Sequence, residues 1–266
     1  MIVDFHTHIW PDKISGKVKQ TLETAYNEQW QGKGDLEGLK TTMSEGSVDY
    51  SVVLPVVTKL SQFPSVLSYA KEINGKDGII SFGGIHPKSE NYKEELKQIK
   101  EAGLKGIKLH PDFQKAFVDE IETVRLVDYA LELGLIVSFH AGFDPSIPDT
   151  TYCTADRARR LVKQVEAGYG TIILAHMGSN MMDKDVDKYL LDLPVYFDTA
   201  YCLDFLSDKR FVELARGHGI DKILFATDSP WRSQKKFVDR IKQMPLETEE
   251  VDKILGGNAT RILGLS

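Results

Sequence analysis

Apolar, β-branched runs recur along the whole sequence, and each is followed by a stretch with helical periodicity. Most of the runs are nearly continuous rather than alternating, which is typical of parallel strands covered by helices. They predict eight strands: Ile2–His8, Val48–Leu54, Ile79–Ile85, Gly106–His110, Leu135–His140, Thr171–His176, Val195–Thr199 and Ile223–Asp228. Eight such strand–helix units in about 250 residues predict a (β/α)8 barrel.

We therefore expect an α/β fold, a distorted (β/α)8 TIM barrel with extra helices after the first strand and at the C-terminus. The segment from Trp10 to about Gly46 is long enough for two helices. Asp204 is expected to cap one helix, and another is expected from Thr154 to Gly168. No composition break divides the chain, so we predict a single domain over residues 1–266. An open doubly wound sheet is the alternative, but the first strand lacks a glycine-rich turn after it.

The net charge of −6 gives no overall basic field that would attract nucleic acid or an anionic membrane. We expect a small-molecule substrate, which could still be anionic, and leave a homodimer open. Cys153 and Cys202 are expected to be free buried thiols. The N-terminus shows neither a basic leader nor an apolar signal segment, and no apolar run approaches a membrane span. The expected location is the cytoplasm.

Side chains that can bind metal or transfer protons stand at the ends of the predicted strands, where barrels of this kind carry their chemistry. They are His6, His8, His86, Lys108, His110, His140, His176 and Asp228. Six of the seven histidines fall there, and only His218 lies elsewhere. Random placement would scatter them, so this clustering predicts a functional site.

The spacing of His6 and His8 matters because residues i and i+2 of a strand point to the same face. Imidazole nitrogens and carboxylates are suitable ligands for zinc and related divalent metals. A third histidine and a carboxylate from later strands, His140 and Asp228, would complete a cage around one ion. A single histidine here is more simply a hydrogen-bonded core residue, but a pair joined by further strand-end ligands is not.

The order of the motifs DFHTH, KLHP, SFHAG, LAHMG and FATDSPW, with the ending LGGNATRILGL, resembles the amidohydrolase superfamily and most closely its amidohydrolase-2 branch. The resemblance covers nearly the whole chain. It implies that His6, His8, His140 and Asp228 bind the metal. It also implies that His176 is either a ligand of a second metal or a catalytic group that faces the substrate.

Lys108 leaves the number of metal ions open. Its surroundings, GIKLHP, look like the dihydroorotase motif in which a carboxylated lysine bridges two metals. The alternative is an unmodified lysine that pairs with Asp228 or holds an acidic substrate. We expect a divalent metal, zinc, and one ion rather than two.

The resemblance implies a metal-dependent hydrolase that attacks an amide, ester or lactone of a small molecule. A divalent metal lowers the pKa of bound water to about 7, and Asp228 would transfer the proton to the leaving group. His176 or Lys108 would stabilise the developing negative charge. His86, His110 and Arg232 are candidate substrate contacts, although for the two histidines an anchoring role in loops is equally compatible. Asp4 shares a face with His6 and His8 but lies deeper, which suggests that it supports the ligands, although a plain buried polar residue is equally compatible.

Two other enzyme classes remain open. The amidohydrolase-2 branch includes metal-dependent decarboxylases of aromatic or unsaturated carboxylic acids that use similar ligands. TatD-type deoxyribonucleases have a similar length, but they carry a glutamate where this chain has Lys108, and an acidic chain is poorly suited to a polyanion. A non-catalytic metal-binding protein is the remaining alternative.

Overall fold

The structure, a computed structural model, describes residues 1–165 and 170–265. The strands are β1 Val3–Thr7, β2 Tyr50–Val53, β3 Ile79–Ser81, β4 Gly83–Gly84, β5 Gly106–Leu109, β6 Ile136–Phe139, β7 Ile172–Leu174, β8 Tyr196–Asp198 and β9 Ile223–Leu224. The helices are α1 Asp12–Tyr26, α2 Leu36–Gly46, α3 Phe63–Ile73, α4 Tyr92–Glu101, α5 Pro111–Gln114, α6 Ile121–Glu132, α7 Ala155–Gln164, α8 Asp183–Tyr189, α9 Asp208–His218, α10 Gln234–Gln243, α11 Thr248–Asp252 and α12 Asn258–Leu263. No helix within these described ranges has the length and apolar character needed to cross a bilayer.

Each of the eight predicted strands contains an observed strand, and the third contains two. All residues of β1, β5, β6 and β7 are buried, as expected for parallel strands that are covered on both faces. The third run divides at Phe82, between β3 and β4. The amide of Ser81, the last residue of β3, donates to the side chain of Asn74 at 2.9 Å. The predicted pair of helices between the first two strands is confirmed as α1 and α2.

The chain divides into two compact units, and unit 1 comprises Met1–Val53, Gly75–Ile80 and Asp198–Ser266. Within unit 1, β1 pairs in parallel with β2. On its other side β1 bonds to the chain that follows β9, since the amide of Phe5 donates to the carbonyl oxygen of Phe225 at 2.9 Å.

Unit 2 comprises Leu54–Asn74 and Ser81–Phe197. In this unit β4, β5, β6, β7 and the part of β8 up to Phe197 are parallel neighbours in sequence order. Sequential parallel neighbours joined by helices are the pattern that strand–helix repeats produce. The prediction of one domain over the whole chain stays a prediction.

One predicted helix start differs in the structure, and one predicted helix end lies outside the described residues. Asp204 does not cap a long helix; it ends a short 3-10 turn, Cys202–Asp204. The helix α9 instead begins after Ser207, whose hydroxyl accepts a hydrogen bond from the amide of Arg210. Helix α7 follows Thr154 as expected, but its predicted end at Gly168 lies outside the described residues.

Gly142 joins two loops of unit 2 that follow β6 and β7. Its amide donates to Cys153, and the neighbouring Phe143 donates to the carbonyl oxygen of Asn180 at 3.0 Å. The φ angle of Gly142 is +90°, a value that residues with a side chain rarely adopt. A Cβ atom at this position would lie 2.0 Å from the amide nitrogen of Asn180. Only glycine therefore allows this close approach.

We predict that Gly142→Ala destabilises the protein by about 3 kcal/mol, since it adds a backbone clash to the strain of a positive φ angle. Gly103→Ala is the matched control in the same unit, because Gly103 has a φ of +74° but open space around it. The control should cost about 1 kcal/mol. Urea unfolding of both variants measures the difference, and equal losses would contradict the close approach.

Candidate functional site

Unit 1 gathers part of the predicted ligand set at the end of β1. We define the unit 1 cluster as His6, His8, Asp198 and Asp228. The amide of Asp228 donates to the carbonyl oxygen of His6 at 2.9 Å, and the amide of His8 donates to Ser229 at 2.6 Å. These two bonds hold together residues that are more than two hundred positions apart in the sequence. The φ angle of Asp228 is +66°, a strained conformation of a kind that clusters at functional sites.

Asp4 secures the same strand pairing from below. One of its oxygens accepts from the amides of His6 and Thr227, at 3.2 and 3.0 Å. The other accepts from the hydroxyl of Thr227 at 2.5 Å and the amide group of Gln234 at 2.8 Å. Burial raises the pKa of Asp4 to about 7, against the opposing effect of these hydrogen bonds. Asp4 thus supports the backbone that carries His6 and Asp228.

Three potential ligand atoms of the unit 1 cluster converge. His6 Nε2 lies 3.2 Å from His8 Nε2 and 3.6 Å from Asp228 Oδ1, and His8 Nε2 lies 3.2 Å from the same oxygen. Ligands about 2.1 Å from a tetrahedral ion lie about 3.4 Å from one another. Two imidazoles and a carboxylate with these separations therefore fit a divalent cation.

Asp198 is the member of the cluster that was not predicted from the sequence. It is fully buried at the end of β8, and its Oδ2 lies 2.9 Å from His6 Nδ1. A carboxylate at this nitrogen favours the tautomer with the proton on Nδ1, which places the ring's lone pair on Nε2. The available signal was an aspartate at the end of an otherwise apolar strand, in VYFDTA.

Unit 2 gathers most of the remaining predicted residues. We define the unit 2 cluster as His110, His140, His176, Asp112 and Asp144. His176 Nε2 lies 3.0 Å from His140 Nδ1, and the rings of His110 and His140 stack with centroids 4.3 Å apart. His110 Nε2 lies 3.6 Å from Asp144 Oδ2. The φ angle of His176 is +59°, the same strained region as Asp228.

His140 carries a buried nitrogen that has no hydrogen-bond partner within the described residues. This atom, Nε2, lies 3.9 Å from Asp112 Oδ2, which also has none. Burial lowers the pKa of His140 well below its usual value, and the charges of His110 and His176 add to the effect. Burial raises the pKa of Asp112 to about 7, with Asp144 as a further cause. His140 is thus neutral at pH 7 and keeps a lone pair, as a metal ligand requires.

The other predicted residues have structural partners of their own. Lys108 is fully buried on β5, in register with Ser138 of β6. His86 lies after β4, where its Nδ1 accepts from the amide of Lys88 at 3.2 Å. Arg232 is buried in unit 1 and paired with acidic side chains. The predicted roles of Lys108, His86, His110 and Arg232 in metal or substrate binding stay predictions.

Asp198→Asn should weaken metal binding about 10- to 100-fold, because the loss of the charge beside Nδ1 makes His6 a poorer ligand. Competition with a chromophoric chelator measures the affinity. Asp208→Asn is the control, since Asp208 is an exposed partner of Arg240 in the same unit. The double change of His6 and His8 to alanine should abolish binding. An unchanged affinity for Asp198→Asn would contradict its support of His6.

A family model described as Amidohydrolase matches residues 3–265. No curated protein sequence matches the chain. Among solved structures, an uncharacterized TIM-barrel protein from Bordetella bronchiseptica is 19% identical with a TM-score of 0.78, over 99% of this chain and 98% of that chain.

Two further solved structures are similar in fold. A 2,6-dihydroxybenzoate decarboxylase from Rhizobium is 14% identical with a TM-score of 0.73, over 99% of this chain and 98% of its own. A dihydroxybenzoic acid decarboxylase from Polaromonas, with bound manganese and the inhibitor 2-nitroresorcinol, is 15% identical with a TM-score of 0.74, over 99% and 97%. At these identities the likeness concerns the fold, and it confirms the predicted α/β class of the TIM-barrel type.

Proposed function

Because the chain belongs to the amidohydrolase family, we propose that it is a metal-dependent hydrolase of an amide, ester or lactone bond in a small molecule. The family match confirms the predicted resemblance and makes the chain an enzyme of the amidohydrolase superfamily. The single observation that carries the proposal is the convergence of His6 Nε2, His8 Nε2 and Asp228 Oδ1 within 3.2 to 3.6 Å of one another.

His6, His8 and Asp228 would hold the cation, with Asp198 behind His6. We propose one zinc ion, a choice that the nitrogen-rich ligand set favours. When bound, the cation would polarise the scissile carbonyl group and make a water molecule acidic enough to ionise near neutral pH. The carboxylate at Nδ1 keeps the ring of His6 oriented and its Nε2 unprotonated.

Asp228 is the residue of this group best placed to move a proton. Its carboxylate lies beside both imidazoles, and its side chain is only 12% exposed. Asp228 has a φ angle of +66°, and its Oδ1 lies 3.6 Å from His6 Nε2 and 3.2 Å from His8 Nε2. A carboxylate oxygen of Asp228 would take a proton from the attacking water and pass it to the leaving group.

The roles of the unit 2 residues in this reaction are proposals from the family resemblance. His140 would be a further metal ligand, and its neutral, buried imidazole suits that role. His176 would act on the substrate or bind a second ion. In a site with two metal ions, Lys108 would be carboxylated and its carbamate would bridge them. His86 and His110 would contact the substrate.

Decarboxylation of a small aromatic acid is the second candidate, and Trp10 favours it. The indole of Trp10 is half-buried, lies 6.1 Å from the ring of His8 and stacks on Trp30 at 5.1 Å. A flat aromatic wall beside a ligand suits a flat aromatic substrate. The proteins from Rhizobium and Polaromonas, which are similar in fold, are decarboxylases of dihydroxybenzoate.

We predict that Asp228→Asn lowers turnover by at least about 100-fold, as expected when a general base is lost. The assay is a panel of lactones, esters, amides and carboxylated phenols, with products followed by chromatography and by carbon dioxide release. Asp239→Asn, which changes an exposed carboxylate of α10, is the control. Near-normal turnover by Asp228→Asn would remove it as the base. Release of carbon dioxide together with the decarboxylated phenol, without hydrolysis of any ester, lactone or amide in the panel, would replace hydrolysis with decarboxylation.

The second prediction for this site separates one metal from two. If Lys108 is an unmodified lysine, Lys108→Ala should keep one zinc per chain and lose activity mainly through substrate binding. If it bridges two ions as a carbamate, the same variant should fall from about two ions per chain to one or none. Elemental analysis of the purified proteins gives the count, and we expect it to remain one.

A further inference from the structure

The guanidinium group of Arg232 is enclosed in unit 1, four residues after Asp228 in the sequence. Its side chain is only 5% exposed. Its Nη1 lies 2.5 Å from Glu28 Oε1, and its Nε lies 2.5 Å from Asp204 Oδ2. A buried cation held by two carboxylates has its charge compensated within the protein.

Tyr201 completes the enclosure of Arg232. The guanidinium carbon lies 4.0 Å from the centroid of the Tyr201 ring, a cation–π contact. The hydroxyl of Tyr201 donates to Glu28 Oε2 at 2.6 Å. Burial raises the pKa of Tyr201, and the negative charge of Glu28 raises it further, so the hydroxyl keeps its proton. Both carboxylate oxygens of Glu28 are thus bound.

Glu28 lies in the loop of residues 27–35 between α1 and α2, and this loop contacts the segments that follow two of the ligands. The amide of Trp10, two residues after His8, donates to the carbonyl oxygen of Gly34 at 2.9 Å. The amide of Gln31 donates to the carbonyl oxygen of Pro230, two residues after Asp228, at 2.8 Å. One loop therefore joins the chain beyond His8 to the chain beyond Asp228.

We propose that Arg232 is a positioning residue of the metal centre rather than a substrate contact. By anchoring Glu28 it keeps the loop 27–35 against both segments, and thereby maintains the 3.2 Å separation of His8 Nε2 and Asp228 Oδ1. The inference rests on the proposed function in that these two residues hold the cation. Glu28 and Asp204 already compensate the charge of Arg232, so a substrate carboxylate would have to compete with them for the guanidinium.

The contacts of Arg232 require an arginine rather than a lysine. The planar guanidinium reaches two carboxylates from different nitrogens and lies flat on the Tyr201 ring, whereas an ammonium is a point charge. The partners Glu28 and Asp204 are 31% and 45% exposed, so both can return to water when the arginine is removed. An Arg232 variant is therefore expected to fold.

The experiment measures zinc affinity by chelator competition, together with the melting temperature of zinc-free and zinc-saturated protein. Arg232→Met should raise the dissociation constant of zinc about 10-fold, and the stabilisation by zinc should shrink accordingly. Arg232→Lys should give a smaller loss. Tyr201→Phe, which removes one bond to Glu28 and no charge, should weaken zinc binding in the same direction.

Arg216→Met is the matched control, because Arg216 forms a two-bond ion pair with Glu250 in the same unit but on the surface. Its zinc affinity should equal that of the wild type. An unchanged affinity in Arg232→Met with an increased KM would make Arg232 a substrate contact and overturn the proposal. If Arg232→Met lowered the melting temperature equally in zinc-free and zinc-saturated protein and left the zinc affinity unchanged, Arg232 would serve only fold stability. That result would also overturn the proposal. A wild-type chain that takes up no zinc would instead defeat the proposed function itself, together with this inference.

Discussion

The pairing of β1 with the chain at 225–229 is the constraint on which the unit 1 cluster depends. His6 and Asp228 come from opposite ends of the sequence, and this pairing brings the carboxylate of Asp228 to the imidazoles. The backbone bonds from Phe5 to Phe225 and from Asp228 to His6 set the register. A slip by one residue would turn His6 and His8 to the opposite face.

Asp4 is the side chain that makes this register unique. Its two oxygens accept four hydrogen bonds, and two of them come from Thr227, the residue just before Asp228. A buried carboxylate that lost these donors would carry a large desolvation penalty. Alternative registers are thus penalised, and the strained backbone of Asp228, which costs about 1 to 3 kcal/mol, is held by bonds on both of its sides.

The periodicity of the sequence could predict the strands and the strand-end histidines because both follow from local pattern. Buried parallel strands are continuous apolar runs, and His6 and His8 share a face whatever surrounds them. The partner of His6 could not be predicted in the same way. Asp198 contacts it only because two distant strand ends meet in unit 1, which no local spacing encodes.

Arg232 lies in a loop and Asp204 in a short 3-10 turn, and their partners likewise could not be predicted from local sequence pattern. Aspartate is a residue type favoured at helix caps, but Ser207 caps this helix, and Asp204 pairs instead with Arg232. Arginine is a residue type that often binds acidic substrates, but here a loop places Glu28 against Arg232. Loops follow the side chains they meet rather than a period, so their pairings are the part of the site that needs the structure.

Charge balance explains why the unit 1 cluster suits a cation. Asp198 and Asp228 bring two carboxylates, and both His6 and His8 must be neutral to donate lone pairs. Arg232 is the cation nearest in sequence to Asp228, yet it is committed to Glu28 and Asp204. A divalent ion would balance the two carboxylates, whereas protons on His6 and His8 would do so without one. Because a metal ion and a proton bind to the same lone pair of an imidazole, a metal ion held at the proposed site would compete with protons for these nitrogen atoms.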